Sequence, residues 1–462
     1  MASTRDILDG QRFNRQRLVT AFVSGMPGGR EMTPVRPWRG IIGGIVLTAL
    51  LVGGAWVSKL FAPSMPDGWD HGALVIDSNS GSRYVSIDGT LYPVRNAASA
   101  YLLFGANLTT VDASESALSE APLGPVVGIP GAPDKVPSAD NLVDTLTSCV
   151  AGGGHTWTGV GTGTTQNAEG TMALVKNGED YYLIADGYRY AFQQTNFTTD
   201  QAAAARAVMN EFGFPYAQAT DAPSAWLNLF KEGEALVPLE IDDVGKPAGT
   251  IEGLGEVDVG TILRVSNAPN EGDTYLVRPG PVLEPMTPVM EHMYAMSDGG
   301  ETAKTMEITT AQLSRATLAS DQLRSTWPDD ITALITEPHS ACAQLTPDGT
   351  SLVIGTNVPH VSTDTVQIAS QSGALVAEPG DSGSLYFLID EDGLAYQLGS
   401  YSDTAESFGY SDVTPLRATS AWVSLFSSDS DTEMPLLSGS AAWATVPEEA
   451  RESQSSGGSS SS

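Results

Sequence analysis

Ala73-Leu74-Val75-Ile76-Asp77-Ser78-Asn79-Ser80-Gly81-Ser82-Arg83-Tyr84-Val85 reads as an apolar strand, a polar turn at Ser78-Asn79-Ser80-Gly81 and an aromatic strand around Tyr84-Val85. Strand, turn and strand in succession predict a β-hairpin. The pattern returns three times. Apolar strands open at Ala173-Leu174-Val175, Thr261-Ile262-Leu263 and Ala374-Leu375-Val376. Turns follow at Asn177-Gly178-Glu179, Asn270-Glu271-Gly272 and Gly380-Asp381-Ser382-Gly383, then aromatic strands at Tyr181-Tyr182-Leu183, Tyr275-Leu276-Val277 and Leu385-Tyr386-Phe387.

A helical signature follows each hairpin. Ser99-Ala100-Tyr101-Leu102, Ser224-Ala225-Trp226-Leu227 and Ser420-Ala421-Trp422-Val423 each start with a residue suited to an N-cap, and the third copy offers the weaker Thr310-Ala311-Gln312-Leu313. The copies open 100, 88 and 113 residues apart, too unevenly for a stacked solenoid, so they predict separate small α+β modules with insertions. We place these repeats at 70–110, 170–240, 260–325 and 373–437. The stretches 121–150 and 330–372 belong to no copy, and each carries one cysteine. They are expected to form one central, β-rich domain built from two pieces.

Charge separates the two ends of the chain. Up to Arg39 there are seven Arg and three acids, a balance of +4; from Leu60 onward 15 bases face 52 acids, a balance of −37. Between them Gly40 to Ser58 is an uncharged run of 19 residues, which as a helix reaches roughly 28 Å, close to the hydrocarbon thickness of a bilayer. A signal peptide would place its apolar region nearer the start. Trp38 and Trp56 sit at interfacial positions, and Arg30, Arg36 and Arg39 set the N-terminus inside. The expectation is a single-pass protein of the plasma membrane. Residues 1–39 would be cytoplasmic, 40–58 the transmembrane helix, and the rest extracytoplasmic. Leu18 with Phe22 and Val19 with Val23 give the cytoplasmic segment a short basic amphipathic helix, suited to the inner leaflet or to a partner.

Cys149 and Cys342 both follow the span, where an oxidising envelope lets thiols pair, so one disulfide is expected, the alternative being two buried free thiols. The tail 445–462 ends in a run of Ser and Gly and is expected to be disordered. The expected fold class is therefore α+β. A single N-terminal transmembrane helix would lead into an elongated extracytoplasmic region of four small α+β repeats around a disulfide-linked central β-rich domain.

The sequence resembles the EccB family, the single-span membrane component of actinobacterial type VII (ESX) secretion systems. The likeness lies in Gly81-Ser82-Arg83-Tyr84-Val85, Asp88-Gly89, Tyr92-Pro93-Val94-Arg95-Asn96 and Ser99-Ala100. It continues in Gly128-Ile129-Pro130-Gly131-Ala132-Pro133-Asp134, and in Phe13, Arg17 and Leu18 of the N-terminal helix. The resemblance implies a structural part of a secretion machine that forms homo-oligomers on the outer side of the membrane around the translocation channel. Implied partners are an EccC-like ATPase, EccD, EccE and a mycosin protease. An acidic exterior must manage self-repulsion when copies meet, so assembly is expected to weaken at low ionic strength or without divalent cations.

Competing chemistries are weaker. A net charge of −32 argues against nucleic-acid binding. Gly380-Asp381-Ser382-Gly383 looks like a serine-protease nucleophile segment, but it falls where the other copies place hairpin turns. None of His71, His155, His292, His339 and His360 stands in the sequence context of a catalytic base. EccB-like proteins have been labelled ATPases, yet the only Gly-Lys, Gly245-Lys246, is followed by Pro247 and lacks phosphate-loop spacing. Asp429, Asp431 and Glu433 alternate without the glycine and distal Glu of a calcium loop. No catalytic, metal or cofactor residues are assigned. For a wall-binding reading of the repeats, exposed aromatics on one face would count in favour, whereas their burial in every copy would favour a scaffold; Trp226 and Trp422, at equivalent positions, are expected to be core.

Overall fold

The computed structural model describes residues 3–25, 37–60, 64–168, 171–193, 195, 198–213, 216–331, 333–336, 339–426 and 434–457. They fall into two compact units, Met1–Met65 and Pro66–Ser462. In the first unit, helix Thr4–Ser24 starts with a capping box. The Ser3 side chain accepts from the Arg5 N–H, and Asp6 accepts from the Ser3 N–H. The helix ends at Gly25, whose φ of +65° is the left-handed turn that glycine adopts without penalty. Leu18, Val19, Phe22 and Val23 are exposed on it.

A second helix spans Pro37–Leu60. Its described side chains run as an unbroken exposed stretch only from Gly40 to Gly54. Among the described residues, no helix is long and apolar enough to cross a membrane. Arg30 and Arg36 lie outside the described residues, as do the side chains of Arg39 and Trp56.

In the second unit, each of the four hairpins is an antiparallel pair, with Leu74 opposite Val85, Leu174 opposite Leu183, Leu263 opposite Tyr275 and Val376 opposite Phe387. Each grows into a small mixed sheet by one route. In the first, a third antiparallel strand Thr90–Pro93 leads to helix Ala97–Phe104, and strand Thr109–Ala113 then returns parallel to Ala73–Asp77. A four-residue helix, Glu115–Leu118, follows, and Leu123 bridges back in parallel to Leu91. The second to fourth sheets repeat the sequence. Their long helices are Thr199–Glu211, Pro288–Ala295 and Tyr401–Phe408, and their short ones Ser224–Leu227, Thr310–Leu313 and Ser420–Ser424. Asp88-Gly89 and Asp186-Gly187 take positive φ at both residues, the geometry of a tight hairpin turn matched to strand twist.

This topology corrects the alignment of the copies. Ser99-Ala100-Tyr101-Leu102 lies in the long helix of the first sheet, so its counterparts are the long helices of the others. The equivalent of Ser224–Leu227 is Glu115–Leu118. Helix N-caps look alike wherever they occur, and the two helix types share a Ser-Ala-aromatic opening.

A fifth sheet has six strands in the order Thr365–Ile368, Thr156–Val160, Leu146–Val150, Ser340–Thr346, Gly349–Thr356 and Thr164–Asn167. Its membership departs from the expected ranges. Leu123 and Val127 pair with the first sheet, so 121–150 is divided between two sheets. Ala333-Leu334 pairs with Thr171-Met172 of the second sheet. Thr156–Val160 and Thr164–Asn167, outside both expected pieces, belong to this sheet, the second of them at its edge. The tail also differs: Val446 and Ala450 are buried in the core shared by the first and fourth sheets, and helix Glu448–Gly457 follows Pro447. Apolar anchors within a polar composition account for that order; residues 458–462 lie outside the described residues.

Three cores join these layers. Helices Ala97–Phe104 and Tyr401–Phe408 bring the first and fourth sheets together, with Tyr101 edge-on to Phe408 at 6.4 Å. Tyr190, Leu276, Met290 and Tyr294 unite the second and third. The third core lies against the central sheet.

Candidate functional site

The central strands alternate between two environments, as the two-residue period of a strand requires. Leu146, Val150, Val160, Ala343 and Leu345 face the large core. Cys149, Trp157, Cys342 and Val353 form a cluster of their own. Cys149 stands directly opposite Cys342 on neighbouring antiparallel strands, and the two form a disulfide across 193 residues of sequence. The bridge is buried, at 1% and 0% exposure.

The large core receives two equivalent tryptophans. Trp226 and Trp422 occupy the same position in the short helices of the second and fourth sheets, and both are fully buried. Each finds a polar partner on the central sheet. Trp226 Nε1–H donates to the Ser148 carbonyl at 2.9 Å, and Trp422 Nε1–H donates to Thr350 Oγ1 at 2.9 Å. A buried indole needs such a partner to avoid an unsatisfied donor. The first and third sheets carry Ala117 and Gln312 at this position. Sequence reading found the two tryptophans but not their acceptors, because Ser148 and Thr350 carry no signal beyond strand-compatible polarity.

The suspected chemical sites occupy ordinary structural places. Gly380-Asp381-Ser382-Gly383 is an exposed turn between strands Ala374–Glu378 and Leu385–Ile389. Gly245-Lys246 leads into strand Pro247–Ile251, whereas a phosphate loop opens a helix whose N-terminus meets the anion. Lys246 Nζ is 2.6 Å from Asp243 Oδ1, and this hydrogen bond raises the Lys246 pKa. His71 lies 3.6 Å from Asp70 and His155 lies 3.8 Å from Asp364. Among the described residues, no group of three or more His, Cys, Asp or Glu is placed to hold a metal ion. Asp429, Asp431 and Glu433 lie outside the described residues.

Buried polar groups support the layers. The Arg278 guanidinium meets the fully buried Glu284 at 3.0 Å and Asp321 at 3.3 Å. Its hydrogen bond holds the Asp321 carboxyl below the usual carboxylate range. Tyr410 donates to the Pro137 carbonyl at 2.5 Å, and burial raises its phenol pKa.

These features define a repeat-built α+β protein in which small sheets are keyed by tryptophan to a disulfide-bridged central sheet. Residues 1–442 match the family model described as Type VII secretion system ESX-1, transport TM domain B, and the chain belongs to that family. It is 39% identical over 113 residues to the ESX-1 secretion system ATPase EccB1 of Mycobacterium tuberculosis (strain ATCC 25618 / H37Rv). That segment is 24% of this chain and 23% of the relative, so the matched part spans less than a quarter of the relative's length. Two solved structures share the fold. A chain of an intact ESX-5 inner membrane complex gives a TM-score of 0.59 at 21% identity, covering 97% of this chain and 96% of that one. A chain of the EccB3 dimer from the ESX-3 core complex gives 0.59 at 22% identity, covering 81% and 100%.

Proposed function

We propose that this protein is a structural component of a type VII (ESX) secretion membrane complex, oligomerising on the outer side of the membrane around the translocation channel. The observation that carries the reading is the family match through residues 1–442, which takes in the basic N-terminus, the apolar run and the acidic outer part together. The similar chains come from an ESX-5 inner membrane complex and an EccB3 dimer, which supports assembly with other components and with copies of itself. Gly40 to Ser58 is read as a single membrane crossing with the N-terminus in the cytoplasm. The charge step from +4 to −37 across it supports that orientation, and the disulfide suits an oxidising exterior. The four small sheets and the central sheet form the outer mass. Partners are read as an EccC-like ATPase, EccD, EccE and a mycosin protease.

Burial of both Trp226 and Trp422 favours a scaffold over repeats that bind cell wall through exposed aromatics. Similar proteins are named ATPases, whereas Gly245-Lys246 offers no helix N-terminus to a phosphate, so we read the chain as a building block without turnover. Gentle detergent extraction followed by identification of co-purifying proteins tests the proposal. Recovery with an FtsK-like ATPase and a polytopic membrane protein is expected; recovery of the chain alone would overturn it.

A further inference from the structure

The central sheet forms a half-open cavity of about 300 Å³ beside the disulfide, with Cys149 and the Trp157 ring among its lining groups. The sheet curls to make it. Thr164 and Gln367 lie on opposite edge strands, yet both line the same space. Only Gly161-Thr162-Gly163 joins strand Thr156–Val160 to the far edge strand Thr164–Asn167. Mouths of curled and closed sheets are common ligand sites.

The cavity is lined by neutral amides and hydroxyls. Trp157 Nε1–H donates to Gln367 Oε1 at 3.0 Å, which leaves the Gln367 amide protons without a partner among the described residues. Gln344 Nε2 donates to Thr165 Oγ1 at 3.1 Å and to Thr147 Oγ1 at 3.5 Å. Neither hydroxyl donates elsewhere among the described residues, so each keeps its own proton to give and one lone pair to accept with. Asn357 stands at the rim with φ +58°, a conformation Asn tolerates at a cost, and its amide makes no hydrogen bond among the described residues. Val358 and Pro359 add an apolar wall. No charged side chain lines the cavity, so nothing in it compensates an anion or pairs with a cation. Convergent neutral amides and hydroxyls, able both to donate and to accept, beside an apolar wall fit a neutral molecule rich in hydroxyl and carbonyl oxygens and carrying a methyl group.

We propose that this cavity binds a neutral acetamido sugar, with Asn357, Gln367, Thr147 and Thr165 donating to its oxygens and Val358 and Pro359 meeting its methyl. A half-open space of about 300 Å³ suits one sugar ring better than an extended peptide. The site lies on the central sheet, apart from the repeats, and the inference stands independently of the assembly reading.

The test titrates tri-N-acetylchitotriose into the detergent-solubilised full chain, followed by saturation-transfer NMR and calorimetry. Saturable binding is expected, with its dissociation constant raised about tenfold by Asn357→Ala and by Gln367→Ala, the loss of one hydrogen bond each. Thr165→Val, close in shape, should weaken binding similarly, and unchanged melting with an intact disulfide verifies that each variant is folded. The proposal is overturned by no saturable binding up to about 10 mM, beyond the range of weak sites. It is also overturned by binding that folded forms of all three variants leave unchanged, or by capture of a neutral tripeptide where the sugar fails.

Discussion

Replacing Cys149 and Cys342 together by Ala removes a cross-link that closes a loop of 193 residues. In the chain-entropy model, such a closure contributes about 5 kcal/mol at 25 °C by restricting the unfolded chain. Strands Leu146–Val150 and Ser340–Thr346 pair at four positions, from Cys342 opposite Cys149 to Leu345 opposite Leu146. That ladder does not depend on sulfur, so the native sheet should persist and the loss should fall mainly on the unfolded side. With a urea slope of about 2–3 kcal/mol per molar, the unfolding midpoint should drop by about 2 M. The assay is pulse proteolysis of the full chain in mild detergent across a urea series, comparing oxidised wild type with the double variant. Because the sulfurs are buried, brief treatment of native wild type with reductant should leave its midpoint unchanged, whereas reduction during unfolding should lower it to that of the variant. A variant midpoint within about 0.3 M of wild type, inside the uncertainty of such measurements, would refute the argument that the bridge acts on the unfolded chain.

Trp226→Ala and Trp422→Ala should each cost about 3–5 kcal/mol, from lost burial, the cavity left behind and an unpaired group on the central sheet; thermal unfolding showing less than about 1 kcal/mol for either would count against the keying role. Burial raises the Asp390 pKa above 3.8, outweighing the Asp392 and Leu394 N–H groups its carboxylate accepts. Ionised Asp390 therefore weighs against the fold above that raised value, and stability recovers as pH falls through it toward 3.8. Asp390→Asn should exceed wild type most at neutral pH, with a gap that narrows on acidification; a gap constant with pH in melting experiments would contradict this. Ser382→Ala and Lys246→Ala should leave recovery of the membrane complex unchanged, as expected for an exposed turn and a strand approach; loss of the complex by either variant, with melting intact, would give that residue a role beyond structure.

The hairpins were legible because their signals are local: polar turns, Asp-Gly pairs and aromatic strands lie within a few residues of one another. The disulfide was legible for a different reason, since two cysteines beyond a basic, apolar N-terminal region leave one pairing. The short helices were harder to place. Four residues carry no periodicity, and Ser99-Ala100-Tyr101-Leu102 resembles Ser224-Ala225-Trp226-Leu227 while lying in another helix of the repeat. Thr156–Val160, in a stretch rich in Gly and Thr outside the expected central pieces, is buried along its whole length because neighbours from distant sequence cover both faces. The cavity beside the disulfide was invisible to sequence reading, since Asn357, Gln367 and Thr165 converge only once the sheet has curled. Helix Glu448–Gly457 was hidden by the polar residues around Ala450.

The central sheet also imposes an order on biogenesis. For a chain delivered from its N-terminus, Cys149 emerges 193 residues ahead of Cys342, and most of the second and third sheets arrive in the interval. The early thiol must stay reduced, or be shielded, while those sheets take shape. Any oxidant that captures it prematurely, including the same cysteine of a neighbouring nascent chain, would strand the protein with its last third unable to dock.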